Sequence, residues 1–381
     1  MRVRDMFQTD RNIVHLNNAA LGAVPRLVAD AVRHYDDMLA LQPSHFYYDE
    51  EDDYVETSRK RLAEISGCDA EELAITRNAS ESLNNIIFGL NLKPGDEILS
   101  TTHDYPSMLD SIRQRSRREG VTLRTFRFSV PVASPDELTE KFSQVIGSRT
   151  RVLLMSHMTW ITGQIFPVKS ICQMAGARGL LTIVDGAQSF GHFPFKIPDL
   201  GCDFFGASLH KYFNAPIGTG LLYVRRSRIP ELWPLMGASE KLADDIRKFD
   251  GFGTGTQPVG IRNAIPATVD FNQEIGIENK AERLRYLRRR WMSRLGQLNS
   301  VKLLISDEPS QSCGTGAFIP GKWDVQKFVD ALQQRFRIQV RTRGVAGEFS
   351  CVRVSPGIFT TSEEIDRFCE AVEMLIDKPQ S

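Results

Sequence analysis

A lysine that works as a nucleophilic amine needs a carbonyl partner, an anion site close by to hold that partner, and a charge that draws electrons from the reacting carbon. Two segments of this chain offer those functions together: Thr182-Ile-Val-Asp185-Gly186-Ala187-Gln188-Ser189 and Asp203-Phe-Phe-Gly-Ala-Ser208-Leu209-His210-Lys211-Tyr212. Lys211 is the amine, Asp185 the charge, and Ser208 a donor for an anion. Taken singly, each has a plainer reading. Asp185 could cap a helix, His210 could be a satisfied polar side chain, and Lys211 could be a surface charge. The argument for chemistry is their joint placement, 26 positions apart (211 − 185), at the ends of two predicted strands.

The elements that must position them follow from the hydrophobic pattern. From about Glu72 onward, short β-rich runs alternate with helix-like stretches, at 72–76, 97–100, 122–128, 151–155, 180–185, 203–207 and 218–224. That alternation predicts a βαβ-type α/β fold around a mainly parallel sheet. Several runs, such as Val152-Leu-Leu-Met155 and Leu181-Thr-Ile-Val184, are apolar on consecutive residues, the pattern of strands covered on both faces. Ligands of such sheets bind beyond the carboxyl ends of the strands. Thr76-Arg77-Asn78-Ala79-Ser80-Glu81-Ser82 follows one strand and opens a helix, whose N-terminus suits an anion. His103-Asp104-Tyr105-Pro106-Ser107 follows another.

Composition bounds the alternatives. The 381 residues carry 47 Lys+Arg against 47 Asp+Glu, so no long-range field draws the molecule to nucleic acid or to an anionic membrane. The pattern is helical between 266 and 299, where six arginines from Arg283 to Arg294 surround Leu284, Leu287, Trp291 and Leu295; this reads as a long amphipathic helix with a solvated face. The six cysteines are scattered without metal-ligand or dithiol spacing, so no metal is expected and the thiols read as reduced core filler. Charges interrupt the first ten residues before an apolar leader forms, and no apolar run approaches the length of a membrane span, which makes the cytoplasm the expected location. After the arginine-rich helix come a strand candidate at 350–355 and a helix from Ser362 with a Ser-Glu-Glu start. These predict a smaller C-terminal α+β domain. The expected division is 16–265 for the large domain and 266–381, together with 1–15, for the small one.

Val184-Asp-Gly-Ala-Gln188, then Cys202-Asp-Phe-Phe205, then Ser208-Leu-His-Lys211, then Gly218-Thr-Gly-Leu-Leu-Tyr223 is similar to the class V aminotransferase superfamily of pyridoxal-phosphate (PLP) enzymes. The likeness runs from Leu16-Asn-Asn-Ala-Ala-Leu-Gly22 to Arg353-Val-Ser355 and Thr361-Ser-Glu-Glu-Ile-Asp366, nearly the whole chain. It implies the fold-type-I PLP transferase architecture and an internal Schiff base on Lys211, whose amine, once freed, serves as base and acid at the substrate Cα. Asp185 would pair with the pyridine N–H and Gln188 with the ring oxygen. The Ala79 amide, Ser80, Ser208 and His210 would hold the phosphate. The family stacks a flat side chain on the ring where this chain has Tyr105, a place that desulfurases usually fill with His. A Gly-Thr pair from the partner subunit also reaches the phosphate; Gly253-Thr254-Gly255-Thr256 offers two candidates, of which Thr256 fits better by its distance to Gly260. A homodimer with shared sites is therefore expected. Trp160 stands where Asn often faces the cofactor oxygen, with Thr159 as a possible substitute. Arg353 coincides with the arginine for the substrate carboxylate, which implies an amino-acid substrate, with Arg341 and Arg343 as weaker candidates.

Which reaction follows depends on the protein around the cofactor. Desulfurases carry a nucleophilic Cys on a loop after a Val-Arg-Thr-like strand, whereas here Val340-Arg-Thr-Arg-Gly-Val-Ala346 places Ala346 near that point. The run Leu209-His-Lys-Tyr-Phe-Asn-Ala-Pro-Ile-Gly-Thr-Gly220 resembles the isopenicillin N epimerase-like branch. The resemblance implies Cα-proton abstraction with an aminotransferase or epimerase outcome. A C–S or other β-lyase is the alternative, a cysteine desulfurase a more remote one, and a catalytically silent PLP-fold binding protein the rival from another class. The acidic, aromatic stretch 45–54 is expected to lie over the pocket as a specificity segment.

Overall fold

The computed structural model describes residues 3–377, so the outermost ends of the expected small domain, 1–2 and 378–381, lie outside the described residues. After a two-residue strand, Val14–His15 (β1), the chain lays down seven strands of one sheet. They are Leu73–Thr76 (β2), Glu97–Thr101 (β3), Thr122–Phe126 (β4), Thr150–Ser156 (β5), Leu181–Asp185 (β6), Phe204–Ser208 (β7) and Gly220–Val224 (β8). Their order is β2-β8-β7-β6-β5-β3-β4. β3 to β7 pair in parallel, and β8 runs antiparallel to both β7 and β2. The carboxyl ends of β2, β3, β5, β6 and β7 therefore open on one side, where the chemistry-bearing residues follow.

The consecutive apolar runs are explained by helices on both faces. Side chains alternate across a strand, and Leu153, Met155, Val184 and Phe205 enter one core while Val152, Leu154, Ile183 and Phe204 enter the other. A strand half exposed to water could not carry such a sequence. Each predicted strand of this sheet is present, with ends shifted by one or two residues, and the structure is α/β as expected.

The second sheet is built from Val301–Leu303 (β9), Gly316–Pro320 (β10), Ile338–Gln339 (β11), Arg341–Val345 (β12) and Phe349–Val354 (β13). Four of these make an antiparallel sheet in the order β12-β13-β10-β9, while β11 pairs in parallel with β1. Helix Ser362–Ile376 begins at a capping box in which Thr361 and Glu364 satisfy each other's backbone N–H groups. The arginine-rich helix is Ile277–Leu295. Its polar face is not merely solvated: Arg290 and Arg294 each hold a carboxylate of the last helix, Asp366 and Glu373, through two bonds, and the fully buried Arg288 reaches Asp307 at 2.7 Å.

A division of the chain at 265/266 remains a proposal. Ile265 and Val269 of helix Ile265–Ile275 pack in the core of the large sheet, whereas Leu287, Trp291 and Leu295 pack under the small one. The positive-φ Gly276 between those helices is the natural break on the C-terminal side. Val14 and Leu16 join the small-sheet core. Among the described residues, no helix is long and apolar enough to cross a membrane.

Candidate active site

At the carboxyl edge of the large sheet lies a cavity of about 330 Å³. It gathers Ala79, Ser80, Tyr105, Asp185, Gln188, Ser208, His210, Lys211 and Arg353 from five separate stretches of chain. Thr256 is not among its lining residues; it is exposed on the loop before helix Val259–Asn263. Thr254 is tied into its own turn, donating to the Gly251 carbonyl at 2.8 Å. Within one subunit the structure therefore brings neither threonine to the cavity.

The anion cradle is assembled where β2 and β7 end on either side of Gly220, the first residue of the intervening β8. The Asn78 side chain caps helix Ala79–Gly89 by accepting from the Glu81 N–H at 2.9 Å, and the Ala79 N–H donates to Ser208 Oγ at 2.9 Å. Gly220, opposite Thr76 and Ser208 in the ladder, allows this closeness, because a Cβ there would stand 2.6 Å from Asn78 Cα. His210 closes the other side with Nδ1 buried and unpartnered; burial pulls its pKa down to about 4, so it is a neutral donor or acceptor at pH 7.

Asp185 ends β6. One carboxylate oxygen accepts from the Ala187 N–H at 2.9 Å, and burial pushes the pKa up to about 6 against the opposing influence of Lys211. Burial also draws Lys211 down to about 8, with Asp185 opposing and the Arg353 and Arg343 charges adding to the fall. The side chain keeps some exposure, which it owes to the cavity, since it lines that wall. The Lys211 backbone is clamped from two directions. Gly22 lies so close that a Cβ would meet the Lys211 carbonyl oxygen at 1.9 Å, and its N–H donates to the His210 carbonyl at 2.8 Å. On the far side the buried Lys280 ammonium donates to the Tyr212 carbonyl and to the Asn214 and Asn272 side chains, while the His192 ring stacks on Tyr212 at 3.5 Å.

Gln188 donates from Nε2 to the Ala19 carbonyl at 2.9 Å, leaving Oε1 buried without a partner. Tyr105 meets Trp160 edge to face, with centroids 5.5 Å apart. Below them Asp104 accepts from Ser100, Thr101 and Ser156, pinning the ends of β3 and β5 together. Arg353 is fully buried in β13 and donates to the Trp160 carbonyl at 2.7 Å and to Asn17 Oδ1 at 3.0 Å. Thr159 does not take the place of an Asn: its hydroxyl bonds Thr162 and accepts from the Gln164 N–H. Tyr47 and Tyr48 do not line this cavity either; they border a separate one with Arg59, Asp250 and Arg262, so the 45–54 stretch covers a different place.

Arg343, Met108, Ser156 and Met158 also line the cavity, and Asn17 orients Arg353. Asn17 had a signal, the Asn17-Asn18 pair in the N-terminal motif, but its partner is visible only in three dimensions.

The chain is similar to known proteins over nearly its whole length. A model of the family described as aminotransferase class-V matches residues 14–368. The chain belongs to the aminotransferase class-V family. It is thus a member of a family of PLP-dependent enzymes. Similar curated proteins include an isopenicillin N epimerase of Streptomyces clavuligerus, 31% identical with 96% of each chain covered, and a probable cysteine desulfurase of Synechocystis sp., 27% identical over 96% of this chain and 91% of that one. Among solved structures, a variant of the cystine C–S lyase C-DES with glycine covalently linked to the PLP cofactor superposes with a TM-score of 0.86 at 22% identity, each chain covered in full. That likeness establishes the fold.

The cavity suits PLP on its own chemistry. It offers a helix N-terminus and hydroxyls for a phosphate, a carboxylate with one oxygen still uncommitted by the Ala187 N–H, an amine of lowered pKa, and the buried unpartnered His210 Nδ1.

Proposed function

We propose that this enzyme, as a cytoplasmic homodimer, removes the Cα proton of an amino acid through Lys211 and proceeds to an aminotransferase- or epimerase-like outcome. The observation that carries the reading is the convergence of Lys211, Asp185 and Arg353 on one cavity whose lining holds no thiol. PLP, when bound, supplies an electron-poor ring that takes up the charge left at Cα. The residues around it divide the remaining work. Lys211 Nζ holds the cofactor and, once released, takes the Cα proton; its lowered pKa provides free amine near neutrality. Asp185 would hold the ring nitrogen; Ser80, Ser208 and His210 would hold the phosphate, with Ala79 donating its N–H to Ser208 Oγ or, on loading, to the phosphate; the second N–H of the Gln188 amide would serve the ring oxygen, and Tyr105 would cover the ring and exclude water. Arg353, fixed by Asn17 and the Trp160 carbonyl, offers its fork to the substrate carboxylate. Thr256 of a second subunit completes the phosphate site.

A C–S or other β-lyase outcome begins at the same proton and is the alternative. A persulfide-forming desulfurase is less favoured. The β12–β13 turn carries Ala346, and Cys351 lies in an apolar cluster with Ile161, Leu304 and Ala317, its thiol pushed up to about 12 by burial. A silent binding protein would have no need to keep Asp185, Gln188, Ser208, His210 and Lys211 together. The test is solvent-deuterium exchange with the PLP-loaded protein and a panel of amino acids. The proposal expects deuterium at Cα of at least one of them and none with Lys211→Ala. A 2-oxo acid, an inverted enantiomer or released thiol then separates transamination, epimerisation and elimination. Full cofactor occupancy without exchange from any amino acid contradicts the reading.

A further inference from the structure

One face of the small sheet presents three arginines. In the β12–β13 hairpin Arg341 stands opposite Arg353, and Arg343 opposite Cys351. Opposed residues and residues two apart share a face, so all three guanidinium groups leave the sheet on the same side. Arg341 remains exposed at the edge, whereas Arg343 and Arg353 line the cavity.

The two cavity arginines differ in how their donors are used. Arg353 spends one terminal nitrogen on the Trp160 carbonyl and the other on Asn17. Arg343 makes a single bond, to the Thr342 carbonyl at 2.9 Å, and lies over the Trp160 indole, 5.2 Å from its centroid. Nε is buried without a partner in both residues, so the difference lies in the terminal nitrogens, of which Arg343 commits one and Arg353 both. Arg247, Arg290 and Arg294, by contrast, each hold carboxylates through two or more bonds, and Arg288, which also keeps buried nitrogens without a partner, still pairs with Asp307. The lining of the cavity contains Lys211, Arg343 and Arg353 as cations and Asp185 as its one carboxylate. With Asp185 assigned to the ring nitrogen and Arg353 to the α-carboxylate, Arg343 is left half out of water with donors unspent. That arrangement costs free energy which an incoming anion recovers.

We propose that Arg343 is a second anion subsite and that the substrate is an α-amino acid with a further carboxylate on its side chain. The proposal rests on the assignment of Arg353 made above. Diagonal neighbours on paired strands stand roughly 7–8 Å apart at the backbone, a span that one amino acid with a short methylene chain can bridge. Trp160 and Tyr105, edge to face, supply an apolar flank for those methylenes.

The test is calorimetric binding to the PLP-loaded enzyme of glutarate against butyrate, beside the KM ratio of glutamine to glutamate and of norleucine to 2-aminoadipate. The dicarboxylic member of each pair is expected to be favoured by about ten-fold or more. Arg343→Gln collapses that preference toward one, Arg343→Lys keeps part of it, and Arg341→Gln, outside the cavity, leaves it in place. A preference unchanged in Arg343→Gln, or lost equally in Arg341→Gln, overturns the proposal. Glutarate preference without Cα exchange from any amino acid would strike the proposed function and leave the subsite standing. Exchange from neutral amino acids with no preference for the dicarboxylate would do the reverse.

Discussion

Lys211 and Asp185 each sit where protein has replaced much of the water, and each is pushed toward its neutral form. For Asp185, whose pKa is raised to about 6, the charge that would hold a protonated ring nitrogen disappears as pH falls through that value. PLP uptake by the cofactor-free protein should therefore weaken on the acid side of about pH 6, and Asp185→Asn should bind weakly without that acid limb; fluorescence titration across pH reads both. For Lys211, a depressed pKa means that the folded state carries a penalty at neutral pH which is relieved as pH rises from about 8 toward the ordinary lysine value. Cofactor-free Lys211→Met should melt higher than the parent at pH 7, the gap narrowing as pH rises; a gap independent of pH contradicts this. These two residues were legible in the sequence because chemistry-bearing types recur just after predicted strands. Asn17 and Arg343 were not, or only weakly. The role of Asn17 follows from β1 pairing with β11, 324 positions away (338 − 14), and that of Arg343 from which face of a hairpin it occupies.

Among the elements, short runs apolar on consecutive residues, separated by helix-like stretches, located the strands of the large sheet to within a residue or two, because only strands covered on both faces carry such runs. What spacing could not reveal is the wiring between elements. Arg59, in helix Glu51–Ser66, is buried against Asp250 with bonds of 2.7 and 3.2 Å, and Asp250 also accepts from the Ile75 N–H of edge strand β2. That carboxylate joins a helix, a strand and the turn leading to the 252–256 loop. Asp250→Ala leaves the buried guanidinium with only Glu56, 3.1 Å from its Nε, as a charge partner and should cost up to about 3 kcal/mol in denaturant unfolding, with Arg59→Met/Asp250→Ala recovering much of the loss. Equal losses in the single and double variants would contradict it. The arginine-rich helix teaches the same lesson: its charges looked like a solvated face, yet most are engaged with Asp307, Asp366, Glu373 or a backbone carbonyl.

At the scale of the molecule, two sheets with separate cores meet at the cavity, the large one supplying Asp185 and Lys211 and the small one Arg343 and Arg353. Thr256 lies outside that cavity in its own subunit. If a second subunit supplies it, mixing Lys211→Ala with Thr256→Ala chains should restore activity above that of either variant alone, because one site of a mixed dimer is then intact; no gain on subunit exchange contradicts shared sites. The central claim, an amine at 211 that carries PLP and works on an amino acid, is tested most directly by the absorption spectrum of the purified protein loaded with PLP, alone and with amino acids, beside Lys211→Ala. The account predicts a visible band that an amino acid shifts in the parent protein and that is missing from the variant. A colourless parent protein that takes up no PLP would contradict it.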